Sequence, residues 1–161
     1  MLRSRFPIAT TAAVALAMAL AANGQGKAKF GATLKGSSET PAVDSKGTGT
    51  ATFTVSGTSV EYKITASGLS GDATAAHIHL GPTTAAGPVV VPFAAKAINN
   101  SGNGSVTISG SFTSADVKPQ TNPSIKNLDD LLAQMRAGNT YVNIHTAAHP
   151  PGEIRGQIAQ Q

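Results

Sequence analysis

The stretch T-A-T-F-T-V-S-G-T-S-V-E-Y-K-I-T-A, residues 50–66, decides the fold class. In its second arm Val60, Tyr62, Ile64 and Ala66 alternate with Glu61, Lys63 and Thr65. Side chains of an extended chain point to opposite faces, so period-2 alternation marks a strand with one buried and one polar face. The intervening G-T-S closes the two arms into a hairpin. Outward from it, short alternating segments punctuated by Gly and Pro predict further strands over 29–34, 75–80, 89–93, 105–112, 140–146 and 153–159. One segment differs. In I-K-N-L-D-D-L-L-A-Q-M-R-A-G, Leu128, Leu131, Leu132 and Met135 recur at helical spacing and Gly138 follows as a cap. Residues 113–116 read as a separate cap-like turn, and the Gly- and Asn-rich residues 99–104 read as a hairpin loop. The expectation is an all-β, Greek-key-like antiparallel β-sandwich or barrel with one short helix near 126–137.

At 161 residues the chain is the size of one domain. Its beginning reads as an export signal over residues 1–22. M-L-R-S-R is positive, residues 8–22 form an Ala/Leu/Val run, and A-L-A precedes the polar N-G-Q-G. An apolar run of roughly 15 residues is short of the ~18 that span a bilayer, and no later segment is a transmembrane candidate. Residues 23–29 read as a short disordered lead, and residues 30–161 as the domain proper. Removal of Arg3 and Arg5 would leave a weakly basic protein without clustered Lys or Arg, which argues against nucleic acid as a partner. There is no cysteine, so stability rests on the core and thiolates are absent from any site. A secreted or periplasmic location is expected, with an extracellular or cell-surface protein or a metal ion as partner.

The four histidines, His77, His79, His145 and His149, fall into two short motifs, A-H-I-H-L-G-P and N-I-H-T-A-A-H-P. Alternation places His77 and His79 opposite Ile78 and Leu80, and Tyr141, Asn143 and His145 opposite Val142 and Ile144. Glu153, Arg155 and Gln157 oppose Ile154 and Ile158. Were these strands neighbours, one polar sheet face would carry His77, His79, His145, Glu153 and Arg155. The short T-A-A-H-P-P-G link predicts that the last two of these strands pair as a hairpin. H-x-H spaces two imidazoles about 6.5–7 Å apart along a strand, from a rise of ~3.3 Å per residue. With a third histidine opposite, they make a three-imidazole site suited to Cu or Zn, leaving one position open. The competing reading is that these polar side chains merely decorate the solvent side of a sheet. Arg155 is either a guide for anions or half of a cross-strand ion pair. His149, in a Pro-flanked loop, reads as a solvent residue and is the weakest of the metal candidates.

No G-x-S-x-G elbow, phosphate loop, dinucleotide fingerprint or glycosidase-like carboxylate pair is present. No catalytic residue is nominated on those grounds, and Arg155 is the one residue singled out, as an anion guide.

Four motifs occur together: F-G-A-T-L-K-G-S-S-E-T-P-A-V at 30–43, A-H-I-H-L-G-P at 76–82, G-P-V-V-V at 87–91 and R-A-G-N-T-Y-V-N-I-H-T-A-A-H-P-P-G-E-I-R-G-Q-I at 136–158. Together they resemble a CHRD domain, the module named after the extracellular protein chordin and widespread in secreted bacterial proteins. The resemblance implies a secreted β-sandwich module. The histidine pattern is also similar, more loosely, to Cu/Zn superoxide dismutase, which implies His77 and His79 as a copper pair, His145 as the later copper ligand and Arg155 as the anion guide. This chain lacks the disulfide and the zinc-loop His and Asp set, so that likeness reduces to a copper-only site. Three readings remain open: a metal-bearing binding module, a copper-dependent superoxide dismutase, and a metal-free adhesion or structural domain.

Overall fold

In a computed structural model, which describes residues 27–161, the hairpin of residues 50–66 is β2 (Thr48–Ser56) and β3 (Ser59–Ser67), preceded by β1 (Lys29–Lys35). The leader read at 1–22 and residues 23–26 of the lead lie outside the described residues. Next come β4 (Ala73–Leu80), β5 (Val89–Pro92), β6 (Ile98–Gly102), β7 (Ser105–Thr113), β8 (Gln120–Thr121) and β9 (Ser124–Ile125). The helix α1 (Leu128–Arg136) leads into β10 (Thr140–Thr146), β11 (Ile154–Gln157) and β12 (Ala159–Gln160). No helix among the described residues is long and apolar enough to cross a membrane.

Ten strands form one antiparallel sheet in the order β5-β4-β10-β11-β1-β2-β3-β7-β6, with β12 also pairing β1. The chain's last strands return beside its first, which is the Greek-key-like connection expected. The sheet curls until its halves face each other. Tyr62 of β3 stacks on Phe93, just past β5, with ring centroids 4.3 Å apart. Rows of apolar residues such as Ala32, Ala51, Ile64 and Ile108, paired across β1, β2, β3 and β7, line the inside. Ile78, Val142, Ile144 and Ile154 face them, all fully buried.

Where the curled sheet closes, the end strand β6 is tied to β4 by a side chain. Asn100 of β6 donates from Nδ2 to the carbonyl of Ala73 in β4 (3.1 Å), and its Oδ1 accepts from the Ala73 amide (2.9 Å). The helix buries Leu128, Leu131, Leu132 and Met135, as their spacing predicts. Asn127 caps its start, accepting from the amide of Asp130, and Gly138 follows with φ of 71°. The turn expected at 113–116 is a 3-10 turn with a Thr113/Asp116 capping box.

Four expectations are corrected. Residues 99–104 are mostly strand β6, and the reversal itself needs only Gly102, Asn103 and Gly104, all at positive φ. The strand expected over 153–159 is interrupted at Ile158, whose amide turns to the carbonyl of Thr140 (2.9 Å). Most consequentially, the polar face of β4, β10 and β11 is not wet: every residue of β10 is buried. Residues 36–45 and 81–88 roof it. Thr40 reaches the carbonyl of Thr83 across the roof, and Gly81 is tied to Asn139 below (2.8 Å).

Glu153 does not join the histidine face. It precedes β11, so strand alternation does not reach it. Its carboxylate is buried and accepts from Ser45 Oγ (2.7 Å), Ser70 N (2.8 Å), Ser70 Oγ (2.6 Å) and Thr146 Oγ1 (2.6 Å). Burial pushes this carboxyl up, but the hydrogen bonds from Ser70, Thr146 and Ser45 outweigh it and hold it below the ordinary range. The ionised form is therefore favoured by folding. Its contribution is present above the ordinary carboxyl value of 4.5 and is lost as pH falls through the lower folded value. Glu153→Gln should cost about 2 kcal/mol at pH 7 by leaving donors mismatched. Urea denaturation at pH 7 and pH 3 should show the deficit shrinking in acid.

Candidate metal centre

Register assembles the site. β4, β10 and β11 lie side by side, so His77 pairs with Asn143, which pairs with Arg155; His79 pairs with Tyr141, which pairs with Gln157. His145 lies one pleat further along β10, opposite Ala75. The hairpin expected of the last two strands is present. The three imidazoles the sequence nominated converge: one ring nitrogen from each lies within 4.8 Å of the others. His79 and His145 are buried, whereas His77 is partly open to solvent, so the site has one accessible side rather than lying on the surface.

Carbonyl oxygens fix the tautomers, since they only accept. His79 donates from Nδ1 to the carbonyl of Gly87 (2.8 Å), and His145 from Nδ1 to that of Pro150 (2.8 Å). Both neutral rings therefore turn a lone pair on Nε2 inward. On His145 this lone pair receives Nδ1 of His77 at 3.0 Å. It also faces the side-chain amide of Asn143 at 3.0 Å. Among the described residues the lone pair of His79 has no partner: Nε2 is buried and makes no hydrogen bond there.

Burial, followed by the charges of His145, His79 and Lys118, pushes His77 down to about 4. Burial, with the charges of His145 and Arg155, lowers His79 against the Gly87 carbonyl and the Asn143 side chain, and burial lowers His145 against the Pro150 carbonyl. The three rings are thus neutral at ordinary pH, the state in which imidazole binds metal.

Gly87 is a position that sequence reading did not single out. Its amide donates to the Tyr141 hydroxyl (3.1 Å), and a Cβ there would lie 1.6 Å from the carbonyl oxygen of Leu80. Only glycine brings its carbonyl over His79. Its one sequence signal is its place in G-P-V-V-V, just before β5. Tyr141 is likewise more than a member of the polar face. Its ring stacks on His79 (centroids 4.8 Å, planes 6° apart), and the Arg155 guanidinium lies 3.4 Å from its centroid. His79 and Arg155 come from the strands on either side of β10, so the ring lies between them.

Arg155 is buried and donates from Nη2 to the carbonyl of Pro82. An acidic group near it is Glu39 of the roof, whose Oε1 is buried and has no donor in hydrogen-bond geometry among the described residues. His149 sits apart, half-buried in a cleft with Asp44 and Glu153. Burial pushes Glu39 up to about 7, opposed by the Arg155 charge, the Thr40 amide and Asn143. Folding therefore favours its neutral form, and that contribution fades as pH rises from 4.5 to about 7. Glu39→Gln should remove this loss. Its stability relative to wild type should rise by about 1 kcal/mol between pH 5 and pH 8, reduced from the full shift by partial exposure. Urea melts at the two pH values measure it.

Compared with known proteins, residues 30–158 match the CHRD domain. No curated protein and no solved structure matches the chain, so the likeness of the histidine pattern to Cu/Zn superoxide dismutase stays one of motif alone.

Proposed function

The chain belongs to the CHRD domain family, and from that premise we propose that it is a secreted β-sandwich binding module holding one copper or zinc ion on His77, His79 and His145. The observation that carries this reading is Nε2 of His79, a buried lone pair beside two other imidazoles that makes no hydrogen bond among the described residues. Burying such a group unpartnered costs about 1–3 kcal/mol, and a metal ion supplies the missing partner. Two of the three rings are oriented through their far nitrogen by a backbone carbonyl, as metal-bound histidines characteristically are. Three nitrogen ligands without thiolate suit Cu(II) or Zn(II) and would leave a fourth position open. Export rests on the leader read at 1–22, and the expected partner beyond the ion is an extracellular or cell-surface protein.

The test is calorimetric titration of the leader-free protein with Cu(II) and Zn(II), beside His77→Ala/His79→Ala. Stoichiometric binding lost in the variant supports the proposal. Equally weak binding by both proteins overturns it and leaves the histidines as sheet architecture. A superoxide assay on the copper-loaded protein then separates a binding module from an oxidoreductase.

A further inference from the structure

We propose that the cavity beside Arg155 is a second, separate binding site, for a small hydroxycarboxylate whose carboxylate pairs with the Arg155 guanidinium. A cavity of about 320 Å³ opens between the roof and the sheet, lined by Arg155, Lys35, Ser37, Ser38, Thr83 and Glu39, among others. The inference does not require an ion on the histidines, because the Tyr141 ring stands between them and the guanidinium.

Arg155 is 1% exposed, and a guanidinium is costly to bury without a counter-charge. It has five N–H donors, and the hydrogen bond it makes among the described residues, to Pro82, uses one nitrogen. Tyr141 covers one face of its plane, so a ligand must meet it along the edge. A planar carboxylate accepts two parallel N–H bonds there.

Glu39 does not take that role. Burial raises its carboxyl to about 7 against the Arg155 charge, the Thr40 amide and Asn143, so it is only partly ionised near neutral pH. The Glu39 side chain lines the same cavity as the under-used guanidinium, so a ligand carrying a hydroxyl next to its negative charge would meet both. The charges agree with a monoanion: Arg155 and Lys35 against a partly ionised Glu39, too little for a phosphate dianion. Ser37, Ser38 and Thr83 add hydroxyls for the rest of a polar ligand.

The experiment is an NMR titration of the leader-free protein with lactate, glucuronate, acetate and inorganic phosphate. Lactate or glucuronate should give saturable shifts of the amides of Ser37, Ser38, Glu39 and Thr83 at millimolar concentration, with acetate weaker. The stronger of the two tells a free hydroxy acid from a uronate sugar. Lys35→Ala, at an exposed position, should weaken binding about threefold without disturbing the rest of the spectrum. Arg155→Lys, which keeps the charge but loses the fork, should abolish it. The proposal is overturned by no saturation at ~50 mM, by shifts elsewhere, by indifference to Lys35→Ala, or by phosphate binding more tightly than both hydroxy acids.

Discussion

His79→Ala is expected to lower the affinity for copper or zinc by at least ~100-fold while the metal-free protein stays within about 2 kcal/mol of wild type. Outer partners of a metal-bound histidine are each worth roughly 10–100-fold, so removal of a ligand itself exceeds that. The stability side rests on two opposed changes. The variant loses the hydrogen bond to Gly87 and the stacking on Tyr141, but it also removes a buried nitrogen that has no partner in the metal-free protein. Calorimetry and urea denaturation on the same samples read both quantities. A large stability loss with affinity intact would show that the imidazole is a structural prop.

Ile144→Ala should have the opposite signature, a loss of about 2–5 kcal/mol with little direct effect on the ligands. Ile144 is fully buried on the inner face of β10, between Ala76 and Ile154, one residue from His145 on the outer face. Truncation leaves a cavity in a packed core, and the loss is a large fraction of the ~5–15 kcal/mol typical of a domain. Ile78→Ala, beneath the H-x-H pair, should behave alike. A midpoint shift at constant denaturant slope would confirm that the inner face is the core; near-neutral variants would reverse the assignment of faces.

That assignment was legible in the sequence because alternation is a local property. T-Y-V-N-I-H-T delimited β10 at its observed ends and sorted its histidine from its isoleucine; H-I-H sorted the faces of β4, whose observed start at Ala73 lies two residues before the expected one. The three-histidine cluster followed once those strands proved neighbours. Alternation does not report what lies above a polar face. The roof of residues 36–45 and 81–88 is tertiary, and with it the burial of His79, His145 and Arg155 was hidden. Glu153 failed for a related reason, since a Pro-Pro-Gly approach broke the pleat before β11 began. Strand β6 escaped because I-N-N-S-G has the composition of a turn, and an edge strand needs no strong apolar pattern.

The seam at Asn100 links β6 and β4 in time as well as in space. One amide side chain stands there in place of a backbone ladder, so the curled sheet has a natural point at which to unzip. That point lies at the start of β4, the strand that carries His77 and His79. An ion gripping those rings also restrains the strand on which the seam depends. The amide of Ala73, four residues along β4 from His77, then serves as a clock for the site: its hydrogen exchange should slow when the histidines are loaded and quicken when Asn100 is shortened.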